Sequence, residues 1–264
     1  MKVYISVDIE GIAGISHWDE ALDNGSDYAT FRTFMTNEAL AAIEGARAGG
    51  ATRIVLRDAH ETGRNMDIAR IPDDVTLIRG WSGHPFKMIQ HLDDSFAALV
   101  MIGWHGAAGN GGNPLAHTMT GRFADITLNG EPMSEFLIHA HLAATCRVPV
   151  VFLAGDDAIC TQARALNPAM GTVATKTGHG ASITGITPAR SCRLIADGVA
   201  AALQSNLRDH ALPQADTYVM DLRFTHPHLA HAKSYYPGAR MIADDTLRFE
   251  HDDIYEIARA LGFM

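Results

Sequence analysis

Short β-branched runs alternate with segments of helical period along most of the chain, and this alternation constrains the fold more than any other feature. Residues 2–10 place Val3, Ile5, Val7 and Ile9 on one face of a strand and Ser6, Asp8 and Glu10 on the other, because strand side chains repeat every two residues. Gly11 ends that run. From Asp27, a candidate N-cap, to Gly49 and Gly50, the apolar positions Phe31, Met35, Ala39, Ala42, Ile43 and Ala46 keep helical spacing. Further strands are expected at 53–58, 75–78, 97–102 and 148–154, with helices at 85–92, 134–145, 156–166 and 188–207. Such alternation predicts an α/β fold with a mainly parallel central sheet flanked by helices. Asn129-Gly130, between residues 123–128 and 131–134, predicts a type I′ hairpin turn inserted in the pattern. Beyond Pro213 the expected order is strand 217–224, strand 247–250 and helix 254–261. Residues 213–264 therefore read as a small C-terminal α/β subdomain extending a core at 1–212.

Charge narrows the partners. The net charge is -9 with no Lys/Arg-rich run, so no nucleic acid and no anionic membrane is an expected partner. No window approaches the roughly 18 apolar residues of a spanning helix, and Asp8 and Glu10 interrupt any secretory apolar segment. The cytoplasm is the expected location. Three cysteines at wide spacing, Cys146, Cys160 and Cys192, support neither a disulfide framework nor a thiolate zinc site. Fourteen histidines against four lysines is the unusual ratio, and it directs attention to metal ligation and acid–base chemistry.

In open α/β sheets ligands sit beyond the carboxyl ends of the strands. There the sequence places Asp8 and Glu10 after the first strand, Asp58 and His60 after the second, His105 after the strand at 97–102, His117 in a glycine-rich loop, and Glu135 at a helix start. Two neighbouring carboxylates beside a buried strand repel each other and lose hydration, which a bound cation relieves. Mixed imidazole and carboxylate ligands suit zinc, and Asp8, Glu10, His60, His105 and Glu135 supply enough negative charge for two Zn²⁺. Capping and ion pairing are the competing explanation for Asp8 and Glu10. His117 reads either as a solvated loop histidine or as a catalytic group. Asp58 reads as an orienting partner for His60 or as a cap, and His139, four residues after Glu135, as a metal partner or a surface ion pair. His226, His228 and His231 fall in a proline-containing loop and read as a partly exposed face. The loop at 106–116 lacks any phosphate-cradle spacing, and no Ser-His-Asp elbow or cysteine nucleophile motif is present.

Five segments, in order, resemble the motif series of the zinc-dependent D-aminopeptidase family: Ser6-Val-Asp8-Ile-Glu10-Gly11, Asp58-Ala-His60, Gly103-Trp-His105, His117-Thr-Met and Asn129-Gly-Glu-Pro-Met-Ser-Glu135. The likeness runs over about residues 1–200 and continues through Ala154-Gly-Asp-Asp157. It implies a dinuclear zinc peptidase that removes the N-terminal residue of short peptides, with D-alanyl peptides as the founding substrates, and a homodecamer of two stacked rings. Carried over by position, it implies Asp8 as the bridging ligand, Glu10, His60, His105 and Glu135 as the other ligands, and His117 as the catalytic histidine. The stretch between His105 and His117 is a residue longer and richer in glycine than the family pattern. Two other readings use the same ligand types. A dinuclear phosphoesterase would need phosphate-holding cations, for which Arg57, Arg64 and Arg122 are the candidates, and a metal- or peptide-binding protein without turnover would have no use for His117.

Overall fold

The apolar runs pair side by side, as buried parallel strands do when both faces are covered. In the computed structural model, which describes residues 1–264, the larger sheet runs β3 (Val75–Ile78), β2 (Arg53–Asp58), β1 (Lys2–Val7), β4 (Ala98–Trp104), β7 (Val150–Asp156), β8 (Gly171–His179) and β9 (Ser182–Gly185). All neighbours are parallel except β8 and β9. Strand alternation feeds two cores. Val3, Ile5 and Val7 join Ile54, Leu56, Val100 and Ile102 against α2 (Tyr28–Ala48) and α5 (Pro188–Gln204). Tyr4, Val55, Leu99 and Met101 face the opposite core, with α3 (Glu135–Thr145) and α7 (Ile254–Leu261). The short α1 (Trp18–Ala21) lies beside α2, and α4 (Asp157–Leu166) packs on β7 and β8.

The second, antiparallel sheet has the order β11 (Arg240–Ala243), β12 (Thr246–His251), β10 (Tyr218–Phe224), β5 (Phe123–Leu128) and β6 (Glu131–Pro132). Its inner residues Phe123, Ile126, Met220, Leu222, Leu247 and Phe249 share the core of α7. The β5–β6 turn has φ of 52 at Asn129 and 84 at Gly130, the two positive values a type I′ turn requires. That hairpin is the mid-chain contribution to this sheet, since β5 pairs with β10. The helix α6 (Pro227–Lys233) packs on β10 and β12, and it takes up the His226–His231 region that the sequence suggested was loop.

Two expected elements differ. Residues 85–92 form only a short 3-10 turn at Lys87–Ile89, because Lys87 and His91 take left-handed φ values of 40 and 68. Their carbonyls find side-chain donors instead, Tyr4 Oη giving to Gln90 O at 2.8 Å and Ser6 Oγ to Met88 O at 2.7 Å. The first strand stops at Val7 rather than Glu10. Gly103, with φ 74, turns β4 where a Cβ would lie 2.2 Å from Asp8 O, so Asp8 to Gly11 leave the regular ladder while Gly11 N still donates to Gly103 O at 2.7 Å.

Candidate metal centre

Parallel strands deliver their following residues to one edge, and here the carboxyl ends of β1, β2 and β4 bring Asp8, Glu10, His60 and His105 together. Glu135 joins them from the first turn of α3, whose N-cap Ser134 accepts from Leu137 N at 3.1 Å. His60 Nδ1 lies 3.2 Å from Asp8 Oδ1 and 3.1 Å from Glu10 Oε2. His105 Nε2 lies 3.5 Å from Asp8 Oδ2, 4.0 Å from Glu10 Oε2 and 3.6 Å from Glu135 Oε2. His117 Nε2 lies 3.6 Å from Glu135 Oε1, and its ring stacks on His105 at 4.5 Å. All six expected residues therefore meet in one place. Only His117 keeps appreciable exposure, with 17% of its side chain open.

Each histidine points one nitrogen at the carboxylates and the other at a backbone carbonyl. His60 Nε2 meets Ala21 O at 2.9 Å, His105 Nδ1 meets Gly106 O at 3.0 Å, and His117 Nδ1 meets Leu115 O at 3.0 Å. A carbonyl can only accept, so those nitrogens carry protons, and the inward nitrogens are the ones free to offer lone pairs once a metal takes the place of any proton there, as metal-ligating imidazoles do. Asp8 Oδ2, Glu10 Oε2 and His105 Nε2 are buried without a hydrogen-bond partner. Overlapping sets of ligand atoms, Asp8-Glu10-His60 and Asp8-His105-Glu135, each lie within 4.8 Å, and so does Glu10-His105-His117. A divalent cation fits this donor set, since it would satisfy the orphaned atoms and offset the acids.

Electrostatics agree. Burial, reinforced by Glu10, raises Asp8 well above the usual carboxylate range. Burial also works to raise Glu10 and Glu135, but His60 holds Glu10 well below that range, and His105 brings Glu135 down to about 2. Burial opposes a charge on His105, yet Glu135, Glu10 and Asp8 lift it to about 10. Imidazolium protons are thus doing, in the protein alone, what a cation would do.

The other candidates lie elsewhere. His139 is buried against Trp104, gives Nδ1 to Glu135 O at 2.6 Å, and is pushed down to about 4 by burial, so it is a neutral core histidine and not a ligand. Asp58 accepts from Asn65 N, Asn65 Nδ2 and Met66 N, and Asn65 Nδ2 in turn holds His60 O at 2.7 Å. It therefore fixes the backbone of His60 and leaves the ring alone. The glycine-rich loop is pinned rather than loose: Asp156, which also caps α4, accepts from Gly106 N and Asn113 Nδ2, and Asn113 Nδ2 reaches Glu10 O at 3.0 Å. That pinning is what carries His117 to the centre. Lys176 was not singled out in the sequence. Its buried ammonium donates to Glu10 O at 2.5 Å, Ile12 O at 3.1 Å and Ile15 O at 2.6 Å, fixing the loop that bears Glu10. Its one signal was a lone lysine within an uncharged run.

The centre floors a cavity of about 670 Å³ walled by Trp18, Trp81, His84, Lys87, Met119 and Phe263, among others. Arg57, Arg64 and Arg122 do not line it. Arg57 instead lies under Trp81, 4.3 Å from the ring centroid, and donates to Gly80 O.

An α/β sheet carrying buried carboxylates and imidazoles at its strand ends, beneath an open cavity, defines a metal-dependent hydrolase. The chain belongs to the D-aminopeptidase family, whose model matches residues 1–263. It is 31% identical over 267 residues to the D-aminopeptidase of Bacillus subtilis strain 168, spanning 100% of this chain and 96% of that protein. It also superposes, with a TM-score of 0.91 and 29% identity over 99% of this chain and 95% of the other, on the Zn-dependent D-aminopeptidase DppA from Bacillus subtilis, a self-compartmentalizing protease.

Proposed function

We propose that this chain is a dinuclear zinc aminopeptidase that removes the N-terminal residue from short D-amino-acid peptides, D-alanyl peptides first among them. The carrying observation is the set of inward lone pairs and orphaned carboxylate oxygens beneath the cavity. Asp8, Glu10 and His105 each belong to two of the three ligand sets; of these, the family pattern gives the shared position to Asp8, which would bridge two metals, with Glu10, His60, His105 and Glu135 as the other ligands. When bound, zinc polarises the scissile carbonyl and acidifies water. His117, more exposed than the other five and held by Leu115 O, takes up at Nε2 a proton released by the attacking water and passes it to the leaving amine, or, protonated there, hydrogen-bonds the oxyanion. Trp18, edge-on to His117 at 5.4 Å, limits how that ring can turn. Arg57, Arg64 and Arg122, the cations considered for holding a phosphate, do not face the cavity. By kinship with a self-compartmentalizing protease, the chain assembles into a closed homo-oligomer, a decamer, working in the cytoplasm. No helix is long and apolar enough to cross a membrane.

The test measures zinc content and turnover of D-alanyl dipeptides, their L counterparts and p-nitrophenyl phosphate, on wild type and His117→Ala. We expect D-dipeptide cleavage by the wild type. The variant should keep its zinc and nearly the same KM but lose roughly 10² to 10⁴ in kcat, about 3 to 5 kcal/mol in the barrier. Wild-type turnover in the variant would move His117 off the reaction path, and lost zinc would make it a ligand. Cleavage of the phosphoester alone, or of nothing, would overturn the assignment.

A further inference from the structure

The cavity wall carries two long-chain cations, Lys87 and Arg259. Arg259 is paired with Glu256 one turn back on α7. Lys87 has no hydrogen-bonded or ion-paired partner; the charge that bears on it is that of Glu135, a residue of the metal centre. Its backbone sits at φ 40, a left-handed value that a non-glycine residue adopts only under compulsion from its surroundings. Its ammonium lies beside Gly262, another residue of the cavity wall, where a Cβ would come within 3.2 Å of Lys87 Nζ. Burial weakens its hold on the proton, as expected of a cation withdrawn from water with no anion supplied by the protein. A strained, half-buried, unpartnered ammonium facing a substrate cavity calls for an anion from the substrate.

Resting on the aminopeptidase reading above, we infer that Lys87 is a specificity residue that receives the free C-terminal carboxylate of a dipeptide, so that the enzyme favours dipeptides over amidated peptides. A D-alanyl dipeptide has one formal negative charge, and it lies a single residue past the scissile bond. The other end is an amine, which gains nothing from Lys87 and would meet the metal centre as a neutral lone-pair donor. Lys87 and the metal centre therefore define a direction across the cavity, amine toward the centre, carboxylate toward Lys87. An amidated or longer peptide offers a neutral carbonyl at that position and gains less from the ammonium.

The experiment compares zinc-loaded wild type, Lys87→Met and Lys87→Arg on a D-alanyl dipeptide and on the same dipeptide amidated at its C-terminus. In the wild type kcat/KM for the free carboxylate should exceed that for the amide by about 10- to 100-fold, the span expected for one charge-assisted contact. Lys87→Met should collapse that ratio, chiefly through KM, and Lys87→Arg should restore part of it. Equal losses on both peptides, or an unaltered ratio, would overturn the inference. Calorimetric binding of the two peptides to the same proteins carrying His117→Ala reads the ratio with turnover suppressed. A wild type that binds the free dipeptide more tightly but cleaves neither peptide would defeat the aminopeptidase reading and leave the carboxylate site standing. Equal binding of both would defeat the site.

Discussion

Glu38 is buried on α2, where Oε1 accepts from Ala13 N at 3.0 Å and Oε2 has no partner. Burial pushes its carboxyl up to about 7, with the Ala13 bond and Lys176 opposing the rise. The unfolded carboxyl titrates near ~4.3. Between those values the folded chain binds the extra proton, so stability is full below the lower value and falls as pH rises through the upper one. Glu38→Gln keeps an acceptor for Ala13 N and removes the charge. Its unfolding free energy from urea melts should therefore stay flatter between pH 5 and pH 7.5 and exceed wild type at the upper end by at most about 3 kcal/mol, less whatever the Lys176 ammonium loses with its neighbour's charge. His139, pushed down to about 4, contributes the opposite slope from there to ~6.5 and cancels in the comparison because both proteins carry it. Parallel pH curves for the two proteins would show that Glu38 is ionised in the fold throughout.

At the scale of elements, the site depends on how closely backbones approach where β1 and β4 end. A Cβ on Gly11 would lie 1.9 Å from Trp104 O, and the contact is with backbone that cannot swing aside. Gly11→Ala should cost about 3 kcal/mol or more and displace Glu10 with it. Gly111→Ala, in the glycine-rich loop with nothing within 4 Å of its Cβ, should stay within about 0.5 kcal/mol of wild type; equal effects in denaturant melts would refute the argument. The periodicities of β1, β2, β3, α2 and α5 were legible because each buries a face that its own sequence must pattern. The carboxylates and histidines were legible because strand ends of a parallel sheet share an edge. The pairing of β5 with β10 was not, since partners about a hundred residues apart leave no local mark, and the β8–β9 pair lacks the apolar alternation of its neighbours. Nor was the Pro85–Leu92 region, where helical spacing lost to donors from Tyr4 and Ser6. Glycine content marks 106–116 as a loop and no more; Asp156 and Asn113, which fix it, act over distances that composition does not reveal.

For the whole molecule, a largely buried centre that gathers three acids and three histidines would couple folding to metal binding. Ligand that binds only the folded chain stabilises it by about 2.7 kcal/mol per site at 100 times Kd. In a chain of this length one kcal/mol moves Tm by roughly 2–4 °C, so each zinc at that concentration should add about 5–10 °C. If Asp8 bridges both metals its loss reaches both sites, whereas His60 belongs to a single ligand set. Asp8→Asn should therefore lose nearly the entire zinc-induced shift, and His60→Ala about half of it. The apo proteins should move the other way, because removing a carboxylate relieves repulsion with Glu10, whose charge raises Asp8, and removing His60 strips Glu10 of the partner that holds it ionised. Calorimetric melts of the apo and zinc-saturated forms, each first shown by circular dichroism to be folded, read both effects. Equal residual shifts in the two variants would mean that Asp8 serves one metal only, and the bridging assignment would fall.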